Sequence, residues 1–265
     1  MALPQNRISS VAALGGGGGG GGGGWTPATP GSAVVKAWYQ FDLLSGSDTD
    51  PIATFADSSG NGNVPTTQTG TLRATLAAAH QKSKNTLRFT YTAGQFYQLP
   101  NILSGVSAAS IYIVFKRLAD PGGITDSGLF GFGTGGLPTH WPYSDGNIYD
   151  DFASNARKAV GNPTPSLAST YRIVGVHSAA SDYGVYIDGT SFYSTGTNTV
   201  APDSTPKLGT EDSLTGYMSG WIAEVIITNA KQSGSDREKF EGYLAHKWGL
   251  TANLDSGHPY KTTPP

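Results

Sequence analysis

Two segments near the end of the chain decide the fold. The first is Gly220-Trp-Ile-Ala-Glu-Val-Ile-Ile-Thr-Asn-Ala230, and the second is Ser235-Asp-Arg-Glu-Lys-Phe-Glu-Gly-Tyr-Leu-Ala-His-Lys-Trp-Gly-Leu250. The first is a short and nearly continuous apolar run, which predicts a strand buried in the core. The second repeats large apolar residues at helical spacing, at Phe240, Leu244 and Trp248, so these side chains share one face of a helix. We therefore expect a core strand followed by a helix.

The second segment also carries signals for both ends of this helix. Ser235 and Glu238 have the spacing of a capping box, which predicts that the helix begins at Ser235. Gly249 is placed to adopt the left-handed conformation that ends many helices, and Leu250 then folds back onto the last turn. The sequence thus predicts one short helix that lies across a sheet.

The rest of the chain is divided by turns into short strands. Its 37 Gly, 16 Pro, 13 Tyr and 10 Phe are typical of many short strands, not of a helical bundle. Asp188-Gly189 is a two-residue signal for a type I′ hairpin. Strands are predicted over residues 34–41, 86–91, 96–99, 110–116, 129–132, 146–149, 171–176, 184–187, 190–193 and 221–228. The predicted fold class is all-β.

The beginning of the chain has a different composition. Residues 15–24 are all glycine, and the backbone entropy of such a run is too high for it to fold alone. We expect an extended N-terminal arm, made of an anchor peptide over residues 1–14 and a glycine- and proline-rich linker over residues 15–32, before a domain over residues 33–265. A polyglycine strand or helix ordered by neighbouring chains stays open as the alternative to a flexible tether.

Charge and cysteine content exclude several kinds of partner. Only 14% of the residues are charged and the net charge is −2, so no basic field attracts nucleic acid or an anionic membrane. The chain has no cysteine, which excludes disulfides and thiolate metal sites. The apolar patch at residues 11–14 is too short for a secretory signal or a membrane span.

Four segments together resemble a known family. They are Ala37-Trp-Tyr, residues 57–63, residues 146–152 with Arg157-Lys158 behind them, and the C-terminal block of residues 220–230, 235–250 and 258–265. In this order they resemble the laminin-G-like, concanavalin A-like lectin jelly-roll domains of tailed-bacteriophage virion proteins. The resemblance covers most of residues 33–265 and implies a concanavalin A-like jelly-roll β-sandwich with one short C-terminal helix.

The resemblance also implies a function and a place. We expect a non-enzymatic virion protein that binds a host-surface glycan at the phage tail, with capsid decoration or a head fibre as the alternative and a glycan-degrading enzyme as a distant third. Glycanases of this fold resemble one another in a Glu-x-Asp-x-x-Glu strand, which this sequence lacks. Glu224 has no second carboxylate at that spacing, so we expect it to be structural. Asp150 and Asp151 are adjacent and would point to opposite faces of a strand.

Aromatic and acidic residues come together around the turn at residues 144–146. Flat rings stack on the C–H faces of sugars, and carboxylates accept hydrogen bonds from sugar hydroxyls. Trp141, Tyr143, Tyr149 and Asp150 are therefore the candidate carbohydrate-binding residues. Cross-strand packing within a hairpin is the alternative.

Residues 57–63 contain the oxygen ligands that calcium prefers. Asp57, Asn61 and Asn63 are the candidate metal ligands, although Gln68 stands where an EF-hand loop needs a bidentate glutamate. A hydrogen-bonded Asx turn is the alternative. No cofactor is required by the sequence, and calcium is left open.

The N-terminal arm is expected to join the protein to its partners. Ile8, Val11 and Leu14 are apolar positions that could be buried against other virion proteins. Glycine chains that converge on a three-fold axis would make the protein a homotrimer.

Overall fold

The structure is a computed structural model that describes residues 24–31, 33–120 and 127–265. These residues form a β-sandwich with one α-helix on its outside. The strands are β1 (Val35–Gln40), β2 (Thr75–Gln81), β3 (Lys84–Phe89), β4 (Tyr97–Gln98), β5 (Ala108–Arg117), β6 (Phe130–Gly133), β7 (Ile148–Asp150), β8 (Lys158–Gly161), β9 (Arg172–Ala179), β10 (Asp182–Ile187), β11 (Thr190–Thr195), β12 (Pro202–Leu208) and β13 (Gly220–Thr228), and the helix is α1 (Gly234–Trp248). The predicted all-β jelly-roll class with one short C-terminal helix is confirmed.

The strands form two layers. The large antiparallel sheet has the order β11-β10-β9-β5-β13-β3-β2, and β1 pairs with the far end of β13 beside β3. The other layer consists of the sheet β4-β12-β6 and the hairpin β7-β8. β13 lies at the centre of the large sheet because β5 pairs along one of its edges while β3 and β1 share the other.

The large sheet is buried on both of its faces. Ile111, Ile113 and Phe115 of β5 point into the core between the two layers. Tyr112 and Val114 alternate with them and pack on the opposite face, in the cluster that also contains the apolar side chains of α1. Strands that are buried on both faces have nearly continuous apolar sequences, and β5 shows this pattern.

A β-bulge in β13 changes where Glu224 lies. Ile222 pairs with Phe115 and Glu224 pairs with Val114, so Ala223 is the extra residue of the strand. Ile222 therefore faces the sandwich core, while Glu224 lies on the helix side of the sheet. The expectation that Glu224 is a structural carboxylate is confirmed.

Glu224 joins the helix to the sheet. Its Oε1 accepts a hydrogen bond of 2.6 Å from Trp38 Nε1, and its Oε2 accepts one of 2.7 Å from Trp248 Nε1. Lys247 Nζ lies 2.8 Å from the same Oε2. A buried charge is tolerated when it is paired and hydrogen-bonded in this way.

The ends of α1 correct one prediction and confirm another. The N-cap is Ser233, not Ser235: the Ser233 Oγ accepts from the backbone N–H of Asp236 at 3.2 Å and donates to the Asp236 carboxylate at 2.7 Å. Gly249 ends the helix in the left-handed conformation, with φ of 70°. The predicted type I′ hairpin is also present, since Asp188 and Gly189 join β10 to β11 and have positive φ values of 51° and 84°.

The last part of the predicted linker is attached to the domain. The ring of Trp25 packs edge-on against Phe240 of α1 at 4.8 Å, and the Trp25 backbone N–H donates to the carbonyl of Pro265. The anchor peptide at residues 1–14, the extended arm and most of the glycine run lie outside the described residues. In the described part of the chain, no helix is long and apolar enough to cross a membrane.

Candidate functional site

The loop at residues 57–63 is held by its own hydrogen bonds. Asp57 Oδ1 accepts from the backbone N–H groups of Trp38 and Ser59, both at 2.9 Å. Asp57 Oδ2 accepts from the Asn63 backbone N–H at 2.9 Å and from the Ser59 hydroxyl at 2.8 Å. Both carboxylate oxygens are thus engaged by donors within the protein, which favours the Asx-turn alternative.

The two asparagines of this loop bind the backbone of β1. Asn61 Nδ2 donates to the Val35 carbonyl at 2.9 Å, and Asn63 Nδ2 donates to the Lys36 carbonyl at 2.7 Å. The structure therefore brings Asp57, Asn61 and Asn63 together as a fastening for the first strand. No group of three or more His, Cys, Asp or Glu among residues 24–31, 33–120 and 127–265 is placed to hold a metal ion. Calcium at this loop stays a prediction.

Two of the four candidate carbohydrate-binding residues are in the core, which corrects their assignment. Trp141 and Asp150 are both 0% exposed. Trp141 Nε1 donates to Asp150 Oδ1 at 3.0 Å, and Asp150 Oδ2 accepts from the hydroxyl of Tyr183 and the backbone N–H of Phe152. Side chains alternate across a strand, so these two point inward and have no access to a ligand.

The other two candidates line a surface pocket, which we call the tyrosine pocket. Tyr143 and Tyr149 are half-buried, and their ring centroids lie 6.0 Å apart at an interplanar angle of 87°. The pocket has a volume of about 460 Å³. It is lined by Leu137, Pro138, His140, Tyr143, Tyr149, Arg157 and Thr215. It lies on the outer side of the second layer, because Trp141 and Asp150, the neighbours of its lining residues, point into the core.

A short antiparallel bridge and a tight turn place the two tyrosines. His140 and Tyr149 exchange backbone hydrogen bonds of 2.8 and 2.9 Å. The chain then reverses between Tyr143 and Asn147, where Gly146 has φ of 81°, a value that glycine adopts without strain. The carboxylate of Asp145 accepts from the Tyr149 hydroxyl at 2.9 Å, which fixes the direction of that ring.

Arg157 brings a positive charge to the pocket. Its Nη1 donates to the Pro138 carbonyl at 2.6 Å, and its guanidinium carbon lies 4.8 Å from the centroid of the Tyr149 ring. Stacking of this kind holds the planar guanidinium against the tyrosine. Arg157 thereby connects two walls of the pocket.

His140 is neutral at physiological pH. Burial and, to a smaller extent, the nearby charge of Arg157 lower the pKa of His140 to about 4, so the imidazole is uncharged. Its Nδ1 is hydrogen-bonded to the Ser127 hydroxyl at 2.7 Å, and its ring lies 4.4 Å from that of Tyr143. Among the described residues that line the pocket, Arg157 thus carries the one formal charge.

Glu211 orders the loop that brings Thr215 to the pocket. Its Oε1 accepts from the Thr215 hydroxyl at 3.0 Å and the Gly216 N–H at 2.8 Å, and its Oε2 accepts from the Ser213 N–H at 2.6 Å. Burial alone would raise the pKa of Glu211, but hydrogen bonds from Ser213, Gly216 and Thr215 outweigh it and lower the pKa. This carboxylate is therefore ionised and bound within its own loop.

Two carboxylates, each with a buried oxygen atom, lie against the glycines of β6. A Cβ at Gly133 would lie 2.6 Å from Asp151 Oδ1, and Asp212 covers Gly131 in the same way. Burial raises the pKa of Asp151 to about 8, with Asp150 and Asp212 adding to the effect. Burial also raises the pKa of Asp212 to about 7. Asp151 Oδ1 and Asp212 Oδ1 have no hydrogen-bond partner among the described residues.

A second groove lies beside the loop at residues 57–63. It has a volume of about 550 Å³ and is lined by Lys36, Asn61, Asn63, Asn101, Ile102, Ser104, Gly105, Val106, Ser107 and Asn229. Its described lining contains no aromatic ring, so it lacks the flat surface on which a sugar stacks. We therefore regard the tyrosine pocket, although smaller, as the better candidate.

Sequence reasoning identified only part of the tyrosine pocket. It found Tyr143 and Tyr149 from the aromatic residues around the turn, and it singled out neither Arg157 nor Thr215 as a site residue. Arg157 stands directly behind the segment that carries the tyrosines, so its position offered a weak signal. Thr215 comes from a distant loop, and nothing in its local sequence marks it.

Comparisons with known proteins identify the fold. Neither the family models nor the curated proteins include a match to this chain. Among solved structures, the chain is similar to Trypanosoma rangeli sialidase in complex with sialic acid, with a TM-score of 0.57 and 13% identity over 82% of this chain and 34% of that one. Uncomplexed Trypanosoma rangeli sialidase gives a TM-score of 0.54 and 14% identity over 82% of this chain and 33% of that one.

A toxin domain shares the fold as well. The receptor binding domain of botulinum neurotoxin mosaic serotype C/D gives a TM-score of 0.51 and 13% identity over 78% of this chain and 50% of that one. The chain thus spans about a third of the length of the sialidases and half of the toxin domain. At these identities the likeness shows a shared β-sandwich fold and nothing about activity.

These comparisons correct the function expected from the sequence. The expectation was a phage virion protein, at the tail or on the capsid, but the structures that share the fold are named as sialidases and a toxin receptor-binding domain. The expected function as a phage virion protein is therefore wrong, and the tail and capsid roles are withdrawn with it; the virion as the location of the protein stays a prediction.

Proposed function

We propose that this chain is a carbohydrate-binding β-sandwich module and that the tyrosine pocket is its binding site. The observation that carries the proposal is the pairing of two half-buried tyrosine rings with an arginine in one concave surface. Its volume of about 460 Å³ is within the range of about 300–1,000 Å³ for small-molecule sites.

The lining residues offer what a sugar needs for recognition. The perpendicular rings of Tyr143 and Tyr149 present both a face and an edge to the apolar C–H surface of a pyranose. The guanidinium of Arg157 supplies donors for ring hydroxyls, and the neutral imidazole of His140 supplies a further polar edge. Both polar groups are already held by protein contacts, so little entropy is lost on binding.

The similar structures support a carbohydrate ligand without identifying one. One of the sialidases is named as a complex with sialic acid, and the toxin domain is named for receptor binding. A glycan-related protein with the same fold makes a glycan a reasonable first ligand class for the pocket. The proposal itself rests on the pocket of this chain.

We also propose that the pocket binds its glycan without cleaving it. Most glycoside hydrolases place two carboxylates on either side of the bond they cut. The described residues that line the pocket include no Asp or Glu. The hydrogen bond from Tyr149 to Asp145 raises the pKa of Tyr149, so this hydroxyl stays protonated and is a poor nucleophile.

The proposal is tested by glycan binding to the full chain and its tyrosine variants. We expect binding on a glycan array, and we expect Tyr143→Ala and Tyr149→Ala each to weaken it at least about fivefold, since an aromatic contact is worth about 1 kcal/mol or more. Tyr91→Ala is the matched control, because Tyr91 is 38% exposed and does not line the pocket.

Two results would contradict the proposal. Binding that survives removal of both rings would place the site elsewhere on the molecule. Release of reducing ends from a bound oligosaccharide by the pure protein would show hydrolysis, and the non-enzymatic part of the proposal would fall.

A further inference from the structure

Arg157 has hydrogen-bonding capacity that the protein does not use. One of its nitrogens, Nη1, donates to the Pro138 carbonyl. Among the described residues, neither Nε nor Nη2 has a hydrogen-bond partner, and no carboxylate forms an ion pair with this guanidinium. A half-buried arginine without an acidic partner is unusual, because burial of an unpaired charge costs free energy. Its free edge is therefore suited to a ligand anion.

The acidic residues near the pocket that the structure describes, Asp145 and Glu211, are already engaged elsewhere. Asp145 accepts from the Asn147 backbone N–H at 2.8 Å, the Asn147 amide at 2.9 Å and the Tyr149 hydroxyl at 2.9 Å. Glu211 accepts from the backbone and hydroxyls of its own loop. Neither carboxylate lines the pocket. An incoming anion would thus meet the guanidinium of Arg157 without displacing a protein carboxylate.

The stacking of Arg157 on Tyr149 sets the orientation of its guanidinium group. The guanidinium carbon lies 4.8 Å from the ring centroid, so the charge stays beside the surface on which a sugar ring would stack. A planar guanidinium matches a planar carboxylate through two parallel hydrogen bonds. The charge of Arg157 also reaches His140, whose pKa it helps to lower.

We propose that the tyrosine pocket selects acidic sugars, namely pyranoses that carry a carboxylate, with Arg157 binding the carboxylate and the tyrosine rings binding the sugar ring. This inference rests on the proposed function and narrows it to one class of glycan. Neutral sugars would meet the same rings and leave the free edge of Arg157 without its partner.

The test compares acidic and neutral ligands that differ in little else. The probes are trigalacturonate against its methyl ester, and 3′-sialyllactose against its methyl ester, titrated calorimetrically into the full-length protein. Each pair keeps the rings and linkages and removes only the charge. The variants are Arg157→Gln, Arg157→Lys and Tyr143→Ala, with Arg88→Gln as the matched control, since Arg88 is exposed and lies on β3 away from the pocket.

We expect the protein to bind the acidic member of at least one pair about tenfold or more tightly than its neutral partner, as a charge-assisted hydrogen bond would give. Arg157→Gln should remove this preference, because it weakens the binding of the acidic member about tenfold more than the binding of the neutral member. Arg157→Lys should keep part of the preference, because it retains the charge and loses the fork. Arg88→Gln should change nothing.

The opposite results separate this inference from the function on which it rests. Equal or tighter binding of the neutral members, or a preference that survives Arg157→Gln, overturns the acidic-sugar inference; if Tyr143→Ala still abolishes that binding, the carbohydrate site stands. No binding of any of the four probes overturns the acidic-sugar inference, and binding on the glycan array then decides whether the carbohydrate site stands. The comparison of the ligand pairs uses the unaltered protein, so it decides the inference even if an Arg157 variant fails to fold.

Discussion

The guanidinium of Arg157 lies over the ring of Tyr149, with its central carbon 4.8 Å from the ring centroid. The same ring is held from its other end, where the Tyr149 hydroxyl donates to Asp145. Arg157 is in turn fixed to the Pro138 carbonyl. The wall of the tyrosine pocket is therefore formed before any ligand arrives, which reduces the entropy that binding must overcome.

Two substitutions of Tyr149 separate the contributions of its ring and its hydroxyl to glycan affinity. Tyr149→Phe keeps the ring under Arg157 and removes only the bond to Asp145, so we expect glycan affinity within about threefold of the original. Tyr149→Ala removes the stacking surface, and we expect a loss of about 1 kcal/mol or more of binding free energy. Calorimetric titration measures both. Equal losses for the two variants would show that the hydroxyl, not the ring, recognises the ligand.

Asp150 should contribute to stability and not to ligand binding. Asp150→Ala leaves the indole N–H of Trp141 and the hydroxyl of Tyr183 without their acceptor inside the core. We expect the free energy of unfolding to fall by about 2–5 kcal/mol, because each unsatisfied buried group costs about 1–3 kcal/mol. Chemical denaturation checks this value.

Asp145→Ala is the matched control for this measurement. Asp145 also accepts three hydrogen bonds, but it does so at the surface, where water can replace it. We expect a change of about 0.5 kcal/mol or less. A similar loss of stability in the two variants would mean that burial does not decide the effect.

Ser233, and not Ser235, should stabilise the beginning of α1. Ser233→Ala removes the acceptor of the Asp236 backbone N–H, so we expect a loss of about 0.5–2 kcal/mol in the free energy of unfolding. Ser235→Ala removes an exposed hydroxyl that caps no backbone group, and we expect almost no change. The melting curves of the two variants distinguish the cap seen in the structure from the cap predicted by the sequence. A larger loss of stability in Ser235→Ala than in Ser233→Ala would show that Ser235 is the N-cap.

Asp151 should make the protein less stable as the pH rises. Its pKa is raised from 3.8 to about 8 in the folded protein, so the folded state holds a proton that the unfolded chain has released. The contribution of Asp151 to the free energy of unfolding is fully present below about pH 4. It falls as the pH rises toward 8, at up to about 1.4 kcal/mol per pH unit, and is lost once the pH passes the pKa of the folded state.

Asp151→Asn should remove most of this dependence. The amide cannot ionise, and its oxygen can still accept the hydrogen bond from the Gly135 N–H. We expect the variant to be the more stable protein at pH 8 and to show a flatter profile of unfolding free energy between pH 5 and 8. The same change at the exposed Asp255 is the control. An unchanged slope in Asp151→Asn would show that another group carries the titration.

The sequence predicted the fold well where strand and helix patterns are strong. β5, β9 and β13 are apolar runs, and α1 has three large residues on one face, so each was found within a few residues. The bulge at Ala223 was not predicted, because a one-residue insertion depends on pairing with β5 and leaves no local pattern in the sequence.

Three strands escaped prediction for physical reasons. β2 contains three consecutive alanines, which have little strand propensity, and β8 is only four residues long. β12 contains Pro202 and Pro206, which normally argue against a paired strand. Each forms because a neighbouring strand supplies the pairing, and a local reading of sequence does not contain that neighbour.

The candidate site was half predictable. Rings around a turn indicated the right region, but the sequence did not show which of them face inward. Trp141 and Asp150 became partners in the core, while Tyr143 and Tyr149 line the surface. Which side chains point inward depends on how this segment packs against Tyr183 and the second layer, and only the folded chain establishes that packing.

The most direct test of the carbohydrate site is to locate a bound oligosaccharide by NMR. Amide resonances of the labelled full-length protein are followed while the best-binding glycan from the array is added. We predict that the largest shifts occur at Tyr143, Tyr149, Arg157 and Thr215, which line one pocket. Shifts confined to the groove of Asn61, Asn101 and Asn229 would contradict the account and move the binding site to that groove, beside the loop at residues 57–63.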